Sequence, residues 1–313
     1  MSSSKQKLAC FAQAAAATIF AAQFVALHSA SAQMSAPAST AHASIPAHMV
    51  SPKSPIAAPV GTPAGTATKP LTSSAPPAPA VPSRAVCTAP AELVHFERPL
   101  LHTMRRLANG QPLTIVAIGS SSTAGAGASS PDATYPSRLA VELRAGFPGR
   151  SITVLNRGVN GEETTNMMAR FAADVIAAHP QLVLWQIGTN SVLRDHPLSP
   201  HSVQLHDGIE QLKAAGADVV LIDPQFAPKV LAKPDAENMV KLIAASSMKR
   251  DVDLFPRFAI MREWRETMGF EDFLAPDQLH MNDWGYACLA KLLGAALTEA
   301  ATRPVAAARA ITR

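Results

Sequence analysis

From Glu92 onward the chain alternates short apolar runs with longer amphipathic segments, and this alternation constrains the fold more than any other feature. The runs cover residues 113–119, 152–156, 182–188, 218–223 and, more weakly, 252–255. They fit interior strands, because a strand buried on both faces reads as a continuous apolar run. Between and after them, helical periodicity covers residues 135–146, 164–179, 201–215, 235–250, 258–268 and 284–302. Strand, helix, strand repetition with crossovers this short predicts a parallel sheet covered by helices on both faces. The expected fold class is α/β: a three-layer α/β/α domain on five parallel strands over residues 92–304, with a short tail at 305–313.

The segment ahead of this domain has another character. Lys5 and Lys7 precede an apolar stretch from Leu8 to Leu27, and Ala30, Ser31 and Ala32 offer a small-residue cleavage site. That layout is expected of a secretory signal peptide over residues 1–32; an uncleaved anchor is the rival reading, weakened by Gln13 and Gln23. Residues 33–90 hold 12 of the chain's 26 prolines and no Asp or Glu. A segment so poor in apolar bulk cannot bury a core, so residues 33–91 are expected to form a disordered linker. The expected location is secreted or periplasmic, with the linker leaving the domain free to associate with the cell envelope.

The formal net charge of +4 invites a nucleic-acid reading, but five of the 27 basic residues precede Glu92 and leave 22 against 23 acidic ones. A near-neutral domain without a basic stripe lacks the footprint of a phosphate-backbone binder, so no nucleic-acid partner is expected. Once the leader is removed, Cys87 and Cys288 are the remaining thiols, and a disulfide and a buried free Cys288 stay equally open. No CxxC or HExxH occurs, and Asp195, His196, His201 and His206 place no two histidines at i, i+4, so no metal site is expected. A G-x-S-x-G elbow and a P-loop are absent, and Ser130 stands where a dinucleotide fingerprint begun by Gly125 and Gly127 needs its third glycine.

The chemistry lies at the strand ends. The first run exits through Gly119 into Ser120, Ser121 and Ser122, at the carboxyl edge of the sheet, where α/β folds bind ligands. After the second run comes Asn156-Arg-Gly-Val-Asn-Gly161-Glu, after the third Gly188-Thr-Asn190-Ser191, and before the last helix Asp277-Gln-Leu-His280-Met-Asn282. A serine needs a base to attack at neutral pH, and an imidazole needs a carboxylate to fix its tautomer. Asp277 and His280, three residues apart, supply that pair. The oxyanion formed on attack needs donors, which the backbone of Gly161 and the amide of Asn190 can provide.

These four blocks resemble, in order, those of the SGNH hydrolases, also called the GDSL esterase and lipase family. Gly119-Ser-Ser-Ser-Thr is similar to the family's GDSLT and places the nucleophile at Ser121; the second block places an oxyanion glycine at Gly161. Gly188-Thr-Asn-Ser is similar to GTND and gives Asn190, and Asp277-Gln-Leu-His-Met-Asn is similar to DxxHPN and gives Asp277 and His280. The resemblance covers roughly residues 112–300 and implies a flavodoxin-like sheet. Its implied function is an exported serine esterase acting through an acyl-enzyme on acylated carbohydrate, lipid or small esters. Its implied site has catalytic Ser121, Asp277 and His280, an oxyanion hole of Ser121, Gly161 and Asn190, and no cofactor. Ser120, Ser191 and Met281 depart from the family pattern. The substituted Ser120 and Ser191 keep a non-catalytic glycan-binding module open, and the resemblance, to a family in which some members pass the acyl group to another alcohol, keeps open an envelope O-acetyltransferase using the same site. Trp284 is a candidate pocket residue, with packing on the core as its competing role; Trp185 is expected in the core.

Overall fold

In the computed structural model, residues 86–304 are described; the signal-peptide segment, the linker up to residue 85 and the tail at 305–313 lie outside them. Five parallel strands form one sheet: β1 Leu113–Gly119, β2 Ile152–Gly158, β3 Leu182–Gln186, β4 Asp218–Ile222 and β5 Asp253–Phe255. Their spatial order is β2-β1-β3-β4-β5, the flavodoxin-like order in which the chain reverses direction across the sheet at β1 and β3. In register, Gly119 at the end of β1 lies opposite Gly158 of β2, and Ile118 opposite Trp185 of β3.

The helices are α1 Leu101–Ala108, α2 Ser121–Ala124, α3 Tyr135–Gly146, α4 Thr164–Ala169, α5 Thr189–Leu193 and α6 Ser199–Ala214. They continue as α7 Pro228–Leu231, α8 Ala236–Lys249, α9 Arg257–Thr267, α10 Phe270–Phe273 and α11 Asp283–Thr302. Helices α1, α3 and α11 pack together over one face of the sheet and α4, α6 and α8 over the other. Because both faces are covered, β1, β3 and β4 are apolar almost throughout, with Val116, Val183, Leu184, Trp185 and Leu221 fully buried. Truncating one such side chain costs about 2–5 kcal/mol, since the close-packed interior refills the void only in part. Trp185 is a core residue, its ring edge-on to Phe171 at 5.1 Å between centroids. No helix among the described residues is long and apolar enough to cross a membrane.

Two expectations need correction, and helix α1 has no counterpart among the expected helices. The helix expected over 164–179 is α4 only as far as Ala169; wider and tighter turns, Phe171–Val175 and Ile176–Ala178, follow. Arg170 sits at the break, its guanidinium bonding back to the Arg157 carbonyl and Glu162 and forward to Asp174. Helix α1 carries no local start signal, because its cap is remote: Asp218 at the head of β4 accepts from the N–H groups of His102 and Thr103 and from the Thr103 hydroxyl. The linker boundary at 91 is also too late. Cys87 is bonded to Cys288 in α11, with a Cα–Cα distance of 5.4 Å, and the Thr88 carbonyl accepts from the Trp264 indole at 3.0 Å, so chain already packs on the domain at residue 87. Of the two fates open to Cys288, the structure shows the disulfide.

Candidate active site

β1 delivers the chain to its carboxyl edge at Gly119, and Ser121 opens the single turn of α2. Being the first helical residue, Ser121 has an N–H with no acceptor inside the helix. Its two serine neighbours are turned inward. Ser120 donates both its N–H and its hydroxyl to Oε1 of buried Gln186, at 3.0 and 3.1 Å, and Ser122 is buried. Ser121 is half-buried, and its Oγ lies 2.8 Å from Nε2 of His280.

His280 belongs to a short loop closed by an antiparallel bridge between Leu274 and Met281 and by the Ala275 N–H donating to the His280 carbonyl at 2.8 Å. Within that loop Asp277 Oδ1 accepts from the N–H groups of Leu279 and His280, both at 3.0 Å, which aims Oδ2 at Nδ1 of His280, 2.5 Å away. Partial burial pushes the Asp277 carboxyl up, but the bonds from the His280 ring and the two N–H groups outweigh it and hold it below the usual range. A carboxylate only accepts, so Nδ1 carries the ring proton and Nε2 is left to accept from the Ser121 hydroxyl. The structure thus joins Ser121, His280 and Asp277 in one hydrogen-bonded chain.

Gly161 and Asn190 come together on the neighbouring loops. The loop after β2 lies tight against α2: the Val159 N–H donates to the Gly119 carbonyl, and a Cβ on Gly158 would stand 2.0 Å from the Ala124 nitrogen, which only glycine avoids. Gly161 adopts a left-handed φ of 78°, and its carbonyl accepts from Arg194 at 2.8 Å. Asn190, in α5, donates Nδ2 to the Glu162 carbonyl at 2.8 Å; one of its two amide hydrogens remains. Glu163 braces the same loop. Its carboxylate accepts from Ser191, Arg194 and His196, and although partial burial raises its pKa, these bonds pull it below the ordinary value.

Two of the three departures from the family pattern, Ser120 and Ser191, therefore have structural partners, Gln186 and Glu163, and the third, Met281, is a buried core residue. Trp284 packs edge-on against Trp264 at 5.3 Å, which accounts for it as a packing residue. Asp195 bonds Lys233 and His196 bonds Glu163; among the described residues no three His, Cys, Asp or Glu side chains converge as a metal ligand set.

The sequence reading missed several buried polar residues. Gln186 gathers Ser120 and the Thr123 hydroxyl, and its one visible signal is a polar residue inside an apolar strand. Asp223, Gln225 and Arg257 form a fully buried group at the end of β4. Burial pushes the Asp223 carboxyl up to about 7, against the pull of the Phe258 N–H and the Arg257 charge. Their contacts depend on three distant segments, and no local pattern announces them.

Comparison with known proteins agrees with this architecture. A solved two-domain esterase active on acetylated mannans superposes with a TM-score of 0.56 at 20% identity, over 67% of this chain and 56% of that one. An arylesterase of Vibrio mimicus is 30% identical over 110 residues, 35% of this chain and 54% of that protein. An acetylxylan esterase of Geobacillus stearothermophilus is 34% identical over 79 residues, 25% of this chain and 36% of that protein. The chain spans about half the length, or less, of these curated relatives. The model of the non-GDSL lipase-like family matches residues 86–303, nearly all of the described domain. With a turn that reads Gly-Ser-Ser-Ser-Thr in place of Gly-Asp-Ser-Leu-Thr, on a five-stranded flavodoxin-like sheet, the chain belongs to the non-GDSL lipase-like family of SGNH hydrolases.

Proposed function

We propose that this protein is an exported serine esterase that hydrolyses carboxylic esters through an acyl-enzyme on Ser121. The observation that carries the proposal is the chain from Ser121 Oγ to His280 Nε2 and from His280 Nδ1 to Asp277. In the reaction, Ser121 attacks the ester carbonyl while Nε2 takes its proton, and Asp277 stabilises the imidazolium. The tetrahedral oxyanion accepts from the N–H groups of Ser121 and Gly161 and from the free amide hydrogen of Asn190. Imidazolium then protonates the departing alcohol, leaving the acyl group on Ser121. Water, deprotonated by Nε2, attacks that acyl group, and the same steps in reverse release the acid and restore the serine.

The substrate we favour is an acylated carbohydrate. The relatives named above are described as an acetylxylan esterase, an arylesterase and an esterase active on acetylated mannans, two of the three acting on acetylated carbohydrate. Export is supported by the sequence of residues 1–32 and by the Cys87–Cys288 disulfide, a bond that persists in oxidising compartments. The non-catalytic alternative loses its motive, because Ser120 and Ser191 have structural partners and leave the Ser121 hydroxyl beside its base.

A fluorophosphonate probe tests the proposal. Wild-type protein is expected to carry the adduct on Ser121 and to hydrolyse aryl acetates, while Ser121→Ala loses labelling and at least about a thousandfold in turnover with unchanged melting. Wild-type protein that takes no label and hydrolyses no aryl ester of any acyl length overturns the reading.

A further inference from the structure

Gln225 is a buried polar side chain that the chemistry above does not use, being only 1% exposed. Its Oε1 accepts from the Thr189 hydroxyl at 2.9 Å and from Arg257 Nη2 at 2.9 Å. Two donors on one atom fix which end of the amide is oxygen, so Nε2 is the end that meets the Leu279 carbonyl, 3.2 Å away. Thr189 is the residue before Asn190, and Leu279 is the residue before His280. One side chain therefore bridges the segment bearing the oxyanion amide and the loop bearing the base. Its own support is buried and hydrogen-bonded: Arg257 is fully buried and also donates Nε to the Asp223 carbonyl at 3.0 Å, while Asp223 Oδ1 accepts from the Phe258 N–H at 2.9 Å. The bonds that shape the His280 loop from within, Ala275 to His280 and Asp277 to Leu279, do not tie it to the sheet. Gln225 does, from the end of β4.

We propose that Gln225 is a positioning residue that sets the His280 imidazole relative to Ser121 and Asn190 by tying the Leu279 carbonyl to Thr189 and Arg257. The inference rests on the esterase reading for its kinetic consequence, though not for its geometry. Misplacing a base by about 1 Å costs up to about a hundredfold in rate, while ground-state binding of substrate is untouched. The Leu279 carbonyl is partly buried, so losing the Gln225 donor leaves a partly desolvated acceptor without its protein partner and gives the loop reason to move.

Gln225→Glu isolates this tie, since it retains an acceptor for Thr189 and Arg257 and replaces the donor aimed at Leu279 with a second carboxylate oxygen. Expected is a 10–100-fold fall in kcat for an aryl acetate with KM within about twofold, set by the misplaced base. Thr189→Val, a near-isosteric change, is expected to lower kcat by about three- to tenfold with the same unchanged KM, by releasing one end of the bridge. Wild-type kcat in Gln225→Glu, or in Thr189→Val where Gln225→Glu does not fold, overturns the proposal. The proton on His280 Nδ1, read by NMR in the full chain, reports the same geometry without turnover. Its resonance is expected to shift or broaden in both variants, and an unmoved resonance counts against the positioning role. An inactive wild-type protein whose Nδ1 resonance responds to Gln225→Glu sinks the esterase reading alone.

Discussion

Nδ2 of Asn190 donates to the carbonyl oxygen of Glu162 at 2.8 Å, so this amide is held by the loop that carries Gly161. Preorganised donors matter because they meet the developing oxyanion without reorganising at the moment of reaction. Asn190→Ala removes one such donor and also frees the loop. We expect kcat to fall about 10²–10³-fold with KM little changed. Steady-state kinetics on an aryl acetate, with a melting curve to confirm the fold, checks this.

Asp277 differs from the buried aspartate of many triads in being open to solvent, with 42% of its side chain exposed. Asp277→Asn removes the acceptor that keeps the proton on Nδ1, and the wrong tautomer leaves Nε2 unable to take the Ser121 proton. Water at this exposed position partly replaces the lost carboxylate. The expected loss is about 10²–10⁴-fold in kcat, towards the lower end, measured across pH 6 to 9 to separate it from a shifted optimum.

The Cys87–Cys288 bond closes a loop of 201 residues in sequence and fastens the start of the domain to α11. Cross-linking so long a loop restricts the unfolded chain, and removing a bond of this kind typically costs about 2–5 kcal/mol. Cys87→Ser is expected to lower the urea midpoint accordingly, with the specific activity of the folded protein retained. Equal midpoints for variant and wild type refute the structural role of the bond.

Asp253, at the head of β5, gives a pH dependence with a definite sign. Burial raises its carboxyl from 3.8 to about 6, opposed by the Arg98 N–H, the Arg98 charge and the Glu97 N–H. Below the unfolded value the group is protonated in both states and its contribution is fully present. As pH rises from 3.8 to about 6 the unfolded chain gives up the proton first, so stability is lost across that window and is flat above it. Relative to Asp253→Asn, wild type should therefore lose on the order of 2 kcal/mol between pH 4 and 7. Urea unfolding at both pH values measures it, and a constant difference argues against a raised carboxyl.

Local pattern carried the sheet well because strand existence depends on neighbours in sequence. Residues 113–119 read as β1 to the residue, and the edges of β3 and β4 differ by one or two positions, where Gly188 at φ 92° turns the chain out of the sheet. Short elements were not legible. Helices α2, α5, α7 and α10 are four or five residues long, too short to show a period, and α1 takes its cap from Asp218, 115 residues beyond Thr103. The interruption at Arg170 was equally hidden, because a helical pattern does not reveal where a guanidinium will bond to carbonyls outside it.

By itself the sequence marked the five-stranded parallel architecture, since apolar period is a local property, and its four motif blocks, through their resemblance to the SGNH pattern, marked Ser121, Gly161, Asn190, Asp277 and His280 as residues of one site. Only the tertiary structure decided which of three adjacent serines faces the imidazole, whether Cys87 and Cys288 join, and that Gln186, Glu163 and Gln225 hold the loops. Those outcomes turn on hydrogen bonds between residues 28 to 159 positions apart and on a disulfide spanning 201, and a bond across such a distance exists only once the sheet has brought its strand ends together.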